Sequence, residues 1–178
     1  MQQGTVRKEH YAYEKNGSCA LLAAIEPLTG YRLAKLYQRR TKQEFTRFCV
    51  DLAAHYPNIK KIRLVLDNLN THSVSAFYES LPADEAFALA QRFELYYTPK
   101  AASWLNMIEI EFSALARLCL DRRIPTMAQL ETELMAIIAD RCEKHVKIHW
   151  QFSIPSCRQK LHAHYSAVNE TNAKFNKS

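Results

Sequence analysis

Apolar and polar positions fall into short, distinct patterns along the first hundred residues. Residues 19–26 (CALLAAIE) and 31–38 (YRLAKLYQ) flank Pro27, Leu28, Thr29 and Gly30. Proline and glycine punctuate a turn, so the pattern predicts a β-hairpin with a four-residue loop. In the second run Leu33, Lys35 and Tyr37 fall on one side and Arg32, Ala34 and Leu36 on the other. From Thr41 the period lengthens. Phe45, Phe48, Cys49, Leu52 and Ala53 recur at helical spacing, and Thr41 with Glu44 forms a capping box. Pro57 and Asn58 close that helix.

Residues 61–67 (KIRLVLD) form a β-rich run ending in a carboxylate, and 73–93 predicts helix broken near Pro82. Residues 94–98 (ELYYT) read as a strand stopped by Pro99. Ser103 opens a long helix through about residue 120, and Thr126 opens another through about 145. The polar residues 166–178 predict a frayed tail to a domain covering 1–165. Hairpin, helix, strand, helix, strand, helix is an α/β order. Helical crossovers between two of the strands imply a partly parallel mixed sheet flanked by helices. That order is part of the ribonuclease H-like fold, though periodicity does not single it out.

Composition narrows the chemistry. With 48% apolar and 24% charged residues, the chain falls among ordinary soluble globular proteins. No apolar run is long enough to span a bilayer, and the polar start from Met1 to Lys15 is unlike a signal peptide. Cys19, Cys49, Cys119, Cys142 and Cys157 lack paired spacing, which predicts reduced thiols in a cytosolic protein. The three glycines, Gly4, Gly17 and Gly30, are not clustered, so a Walker-type phosphate loop and a dinucleotide-binding turn are both excluded. The net charge of +6 is unevenly placed. Residues 1–63 hold 12 Lys/Arg against 5 Asp/Glu, 64–140 hold 5 against 11, and 141–178 hold 7 against 2. An acidic centre between basic ends suits a metal site approached by a polyanion, and equally a solvated surface.

Two segments carry candidate chemistry. In LDNLNTHS, Asp67 ends a predicted buried strand, the place where ligands bind in open α/β sheets. Asn68, Asn70 and His72 cluster beside it; the same residue types also suit a turn and helix cap. In SWLNMIEIEFS, Asn106, Glu109, Ser113 and Arg117 form one polar stripe on a helix expected to be apolar almost all round and largely buried. Arg117 or Ser113 could satisfy Glu109 structurally. Glu111 lies about 200° around the axis from Glu109, so the two glutamates cannot serve one site. Two carboxylates about 4 Å apart repel by roughly 4 kcal/mol at an effective dielectric near 20. A divalent cation removes that cost, and two-metal phosphoryl chemistry uses such pairs, with Mg²⁺ a suitable ion.

The strings LDNLNTHS, YTPKAASWLNMIEIEFS and LDRRI together resemble the bacterial insertion-sequence transposases of the mariner superfamily. The resemblance runs from about Arg7 to Tyr165. It implies a ribonuclease H-like, retroviral integrase-like fold and an Asp, Asp, Glu triad binding Mg²⁺ or Mn²⁺. It also implies a DDE endonuclease that hydrolyses DNA at transposon ends and then joins a 3′-hydroxyl to target DNA, in transposition, recombination and integration. By position Asp67 is the second carboxylate and Glu109 the third, both catalytic and both metal ligands. Asn68, Asn70, His72, Asn106 and Ser113 are the expected supporting shell.

The family's first carboxylate lies on a central strand upstream of the hairpin, and residues 1–18 contain no β-rich run ending in Asp. Ala101 and Ala102 stand where relatives commonly carry a His. The expectation is therefore a catalytic domain lacking its N-terminal part and inactive alone. The alternative is a non-catalytic remnant that binds DNA or another protein. Expected partners are DNA and either a second copy or the upstream half of the transposase, in a bacterial cytoplasm and on the nucleoid. Arg39, Arg40, Lys42, Lys100, Arg122 and Arg123 are candidate phosphate contacts.

Other features favour structural readings. Cys142, His145, His149 and Cys157 lack the close cysteine pairs of structural zinc sites. His162 and His164 suit a solvated face or a phosphate contact, and Trp104 suits the core. An Asp-dependent phosphatase usually has a second Asp two residues on, where this chain has Leu69.

Overall fold

A computed structural model describes residues 17–99, 105–151, 153–156, 158, 159 and 162. The chain divides into two compact units, Met1–Ile148 and His149–Ser178. In the second unit, Ser156 Oγ donates to the Ser153 carbonyl at 2.9 Å. All the elements that follow belong to the first.

The hairpin forms as its pattern predicts. β1 (Ala20–Ile25) pairs antiparallel with β2 (Arg32–Tyr37), with Ala20 opposite Tyr37 and Ile25 opposite Arg32. Glu26 N donates to Tyr31 O at 2.8 Å and Gly30 N to Glu26 O at 2.9 Å, which closes the turn. Gly30 has φ +82°, and a Cβ there would lie 2.8 Å from the His145 carbonyl carbon. Both facts require glycine.

α1 (Lys42–His55) starts at the expected capping box: Gln43 N donates to Thr41 Oγ1 at 3.2 Å, and Thr41 N to the Glu44 carboxylate at 2.9 Å. β3 (Ile62–Leu66) then leads through α2 (Ser75–Ser80) and α3 (Ala83–Arg92) to β4 (Phe93–Tyr97). The break between α2 and α3 falls at Pro82, as expected. β3 and β4 are parallel, with Ile62 opposite Phe93 and Leu66 opposite Tyr97. α4 (Ile108–Leu115) runs into a π-helical turn, Ala116–Leu120, and α5 (Met127–Glu143) follows, capped by Thr126.

Two apolar clusters form on the strands. Phe45, Cys49, Leu52, Phe77, Leu89 and Phe93 gather α1, α2, α3 and β4, with Ala24, Leu33, Ile62 and Leu64 packed against them. Ala34, Leu115, Cys119, Leu134 and Ile138 join β2 to α4, the π turn and α5, with Leu21, Ala23 and Phe112 against them. Alternate residues of β1 thus serve opposite clusters, so that strand has helices over both faces.

Three expectations need correction. Among the described residues the strands form two two-stranded sheets, β1–β2 and β3–β4, and no hydrogen-bonded ladder joins them into the one mixed sheet expected. The helix expected from Ser103 begins at Ile108, where Asn106 Oδ1 accepts the Ile108 N–H at 3.3 Å; Ser103 and Trp104 lie outside the described residues. Nor is this helix buried all round. Ile110, Leu118 and Leu120 are 45%, 58% and 49% exposed, because α5 and the strands cover only the face that carries Glu111, Leu115 and Cys119.

Candidate active site

Asp67 directly follows the last residue of β3, beyond the point where Leu66 O accepts from Thr98 N at 2.9 Å. The chain then turns back, with His72 N donating to Leu69 O at 2.9 Å. This return brings the His72 ring beside the carboxylate, its Nδ1 2.8 Å from Asp67 Oδ1. Phe45 holds the other side of the ring, with centroids 4.7 Å apart. Tyr97, at the end of β4, donates its hydroxyl to the His72 carbonyl at 2.8 Å. Burial pushes the Tyr97 phenol above its ordinary pKa, which keeps that donor protonated. Among the described residues His72 Nε2 is buried without a hydrogen-bond partner. Asn68 uses its amide on the Thr98 carbonyl, tying the loop to β4, while Asn70 is exposed.

Glu109 lies in the first turn of α4 and is exposed. The sequence stripe around it is only partly realised. Asn106 caps the first turn, and Ser113 Oγ donates to the Glu109 backbone carbonyl at 2.8 Å rather than to its carboxylate. No ion pair joins Arg117 to Glu109 among the described residues; Arg117 sits in the π turn, whose wider winding breaks the helical register of the stripe. Asp67, His72 and Glu109 all line one groove of about 460 Å³.

Glu111 is a different kind of group. It is 1% exposed and accepts from Arg141 Nε at 2.8 Å and Nη2 at 3.0 Å, while Arg32 Nε lies 2.8 Å away as an ion pair without hydrogen-bond alignment. Burial raises its carboxyl pKa. The hydrogen bonds of Arg141 and the charges of Arg141 and Arg32 outweigh that and hold it below the ordinary value. This triad was missed in the sequence; the one available signal was a second glutamate on the buried face of the same helix.

The candidate DNA contacts are dispersed. Arg40 lines the groove, whereas Lys42 pairs with Glu79 at 2.6 Å and Arg122 with Glu133. Arg39 and Arg123 are exposed, and Lys100 lies outside the described residues. Cys142 Sγ accepts the Arg32 N–H at 3.3 Å, a structural use, and His145 occupies a left-handed position at φ 46° just past α5. Cys157 and His164 lie outside the described residues.

The donor set can be tested against a divalent ion. Among the described residues no three Asp, Glu, His or Cys side chains gather as a metal-binding group. Asp67 and Glu109 offer two carboxylates to the groove, and the cluster is incomplete on these residues alone. No helix among them is long and apolar enough to cross a membrane. No curated protein matches the chain. The sequence does match the family described as DDE superfamily endonuclease, over residues 1–131. A strand-end carboxylate and a helix carboxylate facing one groove, within an α/β framework, agree with that match, and the chain belongs to the DDE superfamily endonucleases.

Proposed function

We propose that this chain is a transposase catalytic domain of the mariner superfamily, the insertion-sequence type. Its reaction is the cleavage of DNA strands at transposon ends and their transfer to target DNA. The observation that carries this reading is the convergence of Asp67, at the C-terminal end of β3, and Glu109, at the start of α4, on one groove. Asp67 and Glu109 are the proposed ligands for Mg²⁺ or Mn²⁺. His72 orients Asp67 through its 2.8 Å contact. Asn106 fixes the start of α4 and so the position of Glu109. Arg40 supplies positive charge at the groove for a phosphate.

Two carboxylates do not complete the triad, so the proposed third comes from outside the described residues. The test is nicking of supercoiled plasmid in Mg²⁺, with the chain alone and with the chain co-expressed with the reading frame encoded upstream of Met1. Nicking only in the joint preparation, and its loss in Asp67→Ala and in Glu109→Ala, supports the reading. Nicking by the chain alone that survives both substitutions overturns it. The incomplete donor set also favours a second reading, a non-catalytic module that binds DNA or a full-length transposase. DNA retention without nicking in any combination, with suppression of transposition in cells, selects that one.

A further inference from the structure

α4 carries its two glutamates on opposite sides. Ile108, Glu109 and Phe112 line the groove that Asp67 also lines, whereas Glu111 is buried on the face of Leu115 and Cys119. Positions two apart on a helix differ by about 200°, so Glu111 sits almost diametrically across the axis from Glu109. Whatever fixes the inner glutamate therefore fixes the direction in which the outer one leaves the helix.

Apolar contacts hold α4 in place without setting one angle. Leu115 and Phe112 pack with Ala34, Leu134 and Ile138, and the outward Ile110 is 45% exposed. Apolar burial is non-directional, so a roll of a few degrees leaves most of it intact. A forked ion pair is directional. Arg141 Nε and Nη2 hold the two carboxylate oxygens of Glu111 at 2.8 and 3.0 Å, and Arg32 Nε stands 2.8 Å from Oε1. Among the described hydrogen bonds and ion pairs of α4 side chains, only those of Glu111 reach another element; Ser113 bonds within the helix. The two arginines come from separate elements, β2 and α5. Arg32 is itself fixed, its guanidinium donating to the Gly30 and Val146 carbonyls.

Small rolls matter at the groove. Side-chain tips lie about 5–6 Å from a helix axis, so a roll of about 10° moves the Glu109 carboxylate by about 1 Å. A functional group has to be held within about 0.5 Å of its working position. The freedom that apolar packing leaves is thus of the size that decides function, and the triad removes it. Stability alone gives no reason for the triad, since well-packed apolar residues in place of a buried charge triad are often as stable or more so. A fixed angle does give one.

We infer that Glu111 is a positioning residue: with Arg32 and Arg141 it locks the rotation of α4 about its axis and so holds the Glu109 carboxylate in the groove that Asp67 lines. The use made of Glu109 rests on the proposed nuclease reading; the lock itself stands on the triad.

The test uses two variants that keep every charge. Glu111→Asp leaves the carboxylate one methylene short of the arginines, and Arg141→Lys replaces the planar fork by a point charge. Methyl NOEs between α4 and β1 in the metal-free full chain report the roll of the helix. NMR shifts at Asp67 and Glu109 then follow titration with Mg²⁺ and, separately, with Ca²⁺. Both variants should alter the NOEs and lower Mg²⁺ affinity about tenfold. Ca²⁺ affinity should fall by less than about threefold, because Ca²⁺ accepts flexible geometry and Mg²⁺ demands a near-ideal octahedron. In a Glu109→Gln background the same changes should alter Mg²⁺ affinity by less than about twofold, since no carboxylate is left to position.

A merely structural triad would weaken both ions alike, with or without the Glu109 carboxylate. Unchanged NOEs, equal losses for the two ions, or a loss that survives Glu109→Gln therefore overturns the lock. Unfolding of both variants also overturns it, by assigning the triad to folding alone. Altered NOEs retain the lock but reject the nuclease reading if Mg²⁺ shifts neither Asp67 nor Glu109 in the unsubstituted chain, alone or co-expressed with the upstream reading frame.

Discussion

Arg141 grips Glu111 through both carboxylate oxygens, at 2.8 and 3.0 Å, from a helix 30 positions further along the chain. Arg32 adds a second cation against the same buried group. Glu111→Ala would leave two guanidinium groups facing an emptied site, and should destabilise the fold by about 3–5 kcal/mol. Urea unfolding measures this.

The same group gives acid sensitivity a sign. Its folded pKa is lower than the ordinary carboxyl value, so its contribution is fully present above the unfolded pKa, near about 4.3. That contribution is lost as the pH falls through the folded value. Stability of the native chain should therefore decline below about pH 4.5. In Glu111→Gln the decline should be shallower, as read from melting temperatures across the acid range.

Glu109 should behave in the opposite way under the proposed function. Its side chain is exposed and none of the described hydrogen bonds or ion pairs uses its carboxylate. Glu109→Gln should change stability by less than about 0.5 kcal/mol. It should nevertheless abolish Mg²⁺-dependent nicking in a complete preparation. An equal loss of stability would place Glu109 in the framework rather than in the chemistry.

His72 is positioned by Phe45 and Tyr97 and touches Asp67. His72→Phe keeps the aromatic contact and removes the hydrogen bond. A fall in nicking rate of about 10–100-fold with a retained fold is expected. Unchanged rates would show that Asp67 needs no such partner.

α5 ends in a Schellman motif: Val146 N donates to Arg141 O at 3.0 Å and His145 N to Cys142 O at 3.0 Å, with exposed His145 at φ 46°. A non-glycine residue is strained there, so His145→Gly should raise stability by about 0.5–1 kcal/mol. Gly30→Ala, against the same backbone, should lower it by about 1–3 kcal/mol. Thermal unfolding of the two variants should therefore shift in opposite directions.

Local signals carried much of this fold. The capping box at Thr41 and Glu44, the turn at Gly30 and the break at Pro82 each act through residues a few positions apart, and each appears where the pattern places it. The opposite faces of Glu109 and Glu111 follow from helical spacing alone. What stayed hidden depends on distant partners. Arg32 shares a strand face with Ala34 and Leu36, and nothing local says that a charge there meets Glu111 and Arg141. Leu118 and Leu120 are as apolar as Leu115, but no described element covers them. Hydrophobicity states a preference for burial; only the packing states whether it is met.

Arg32 also sets an order of events during synthesis. Its peptide N–H bonds to Cys142 Sγ and its guanidinium to the Val146 carbonyl at 2.6 Å, partners 110 and 114 positions downstream. A hairpin emerging from the ribosome meets none of them for many seconds of elongation. Until α5 is complete, Arg32 is better left hydrated, and the face it shares with Ala34 and Leu36 has no helix to cover it. The first paired strands among the described residues are thus among the last to reach their final packing, and a nascent chain stopped before Arg141 should keep that hairpin open to protease.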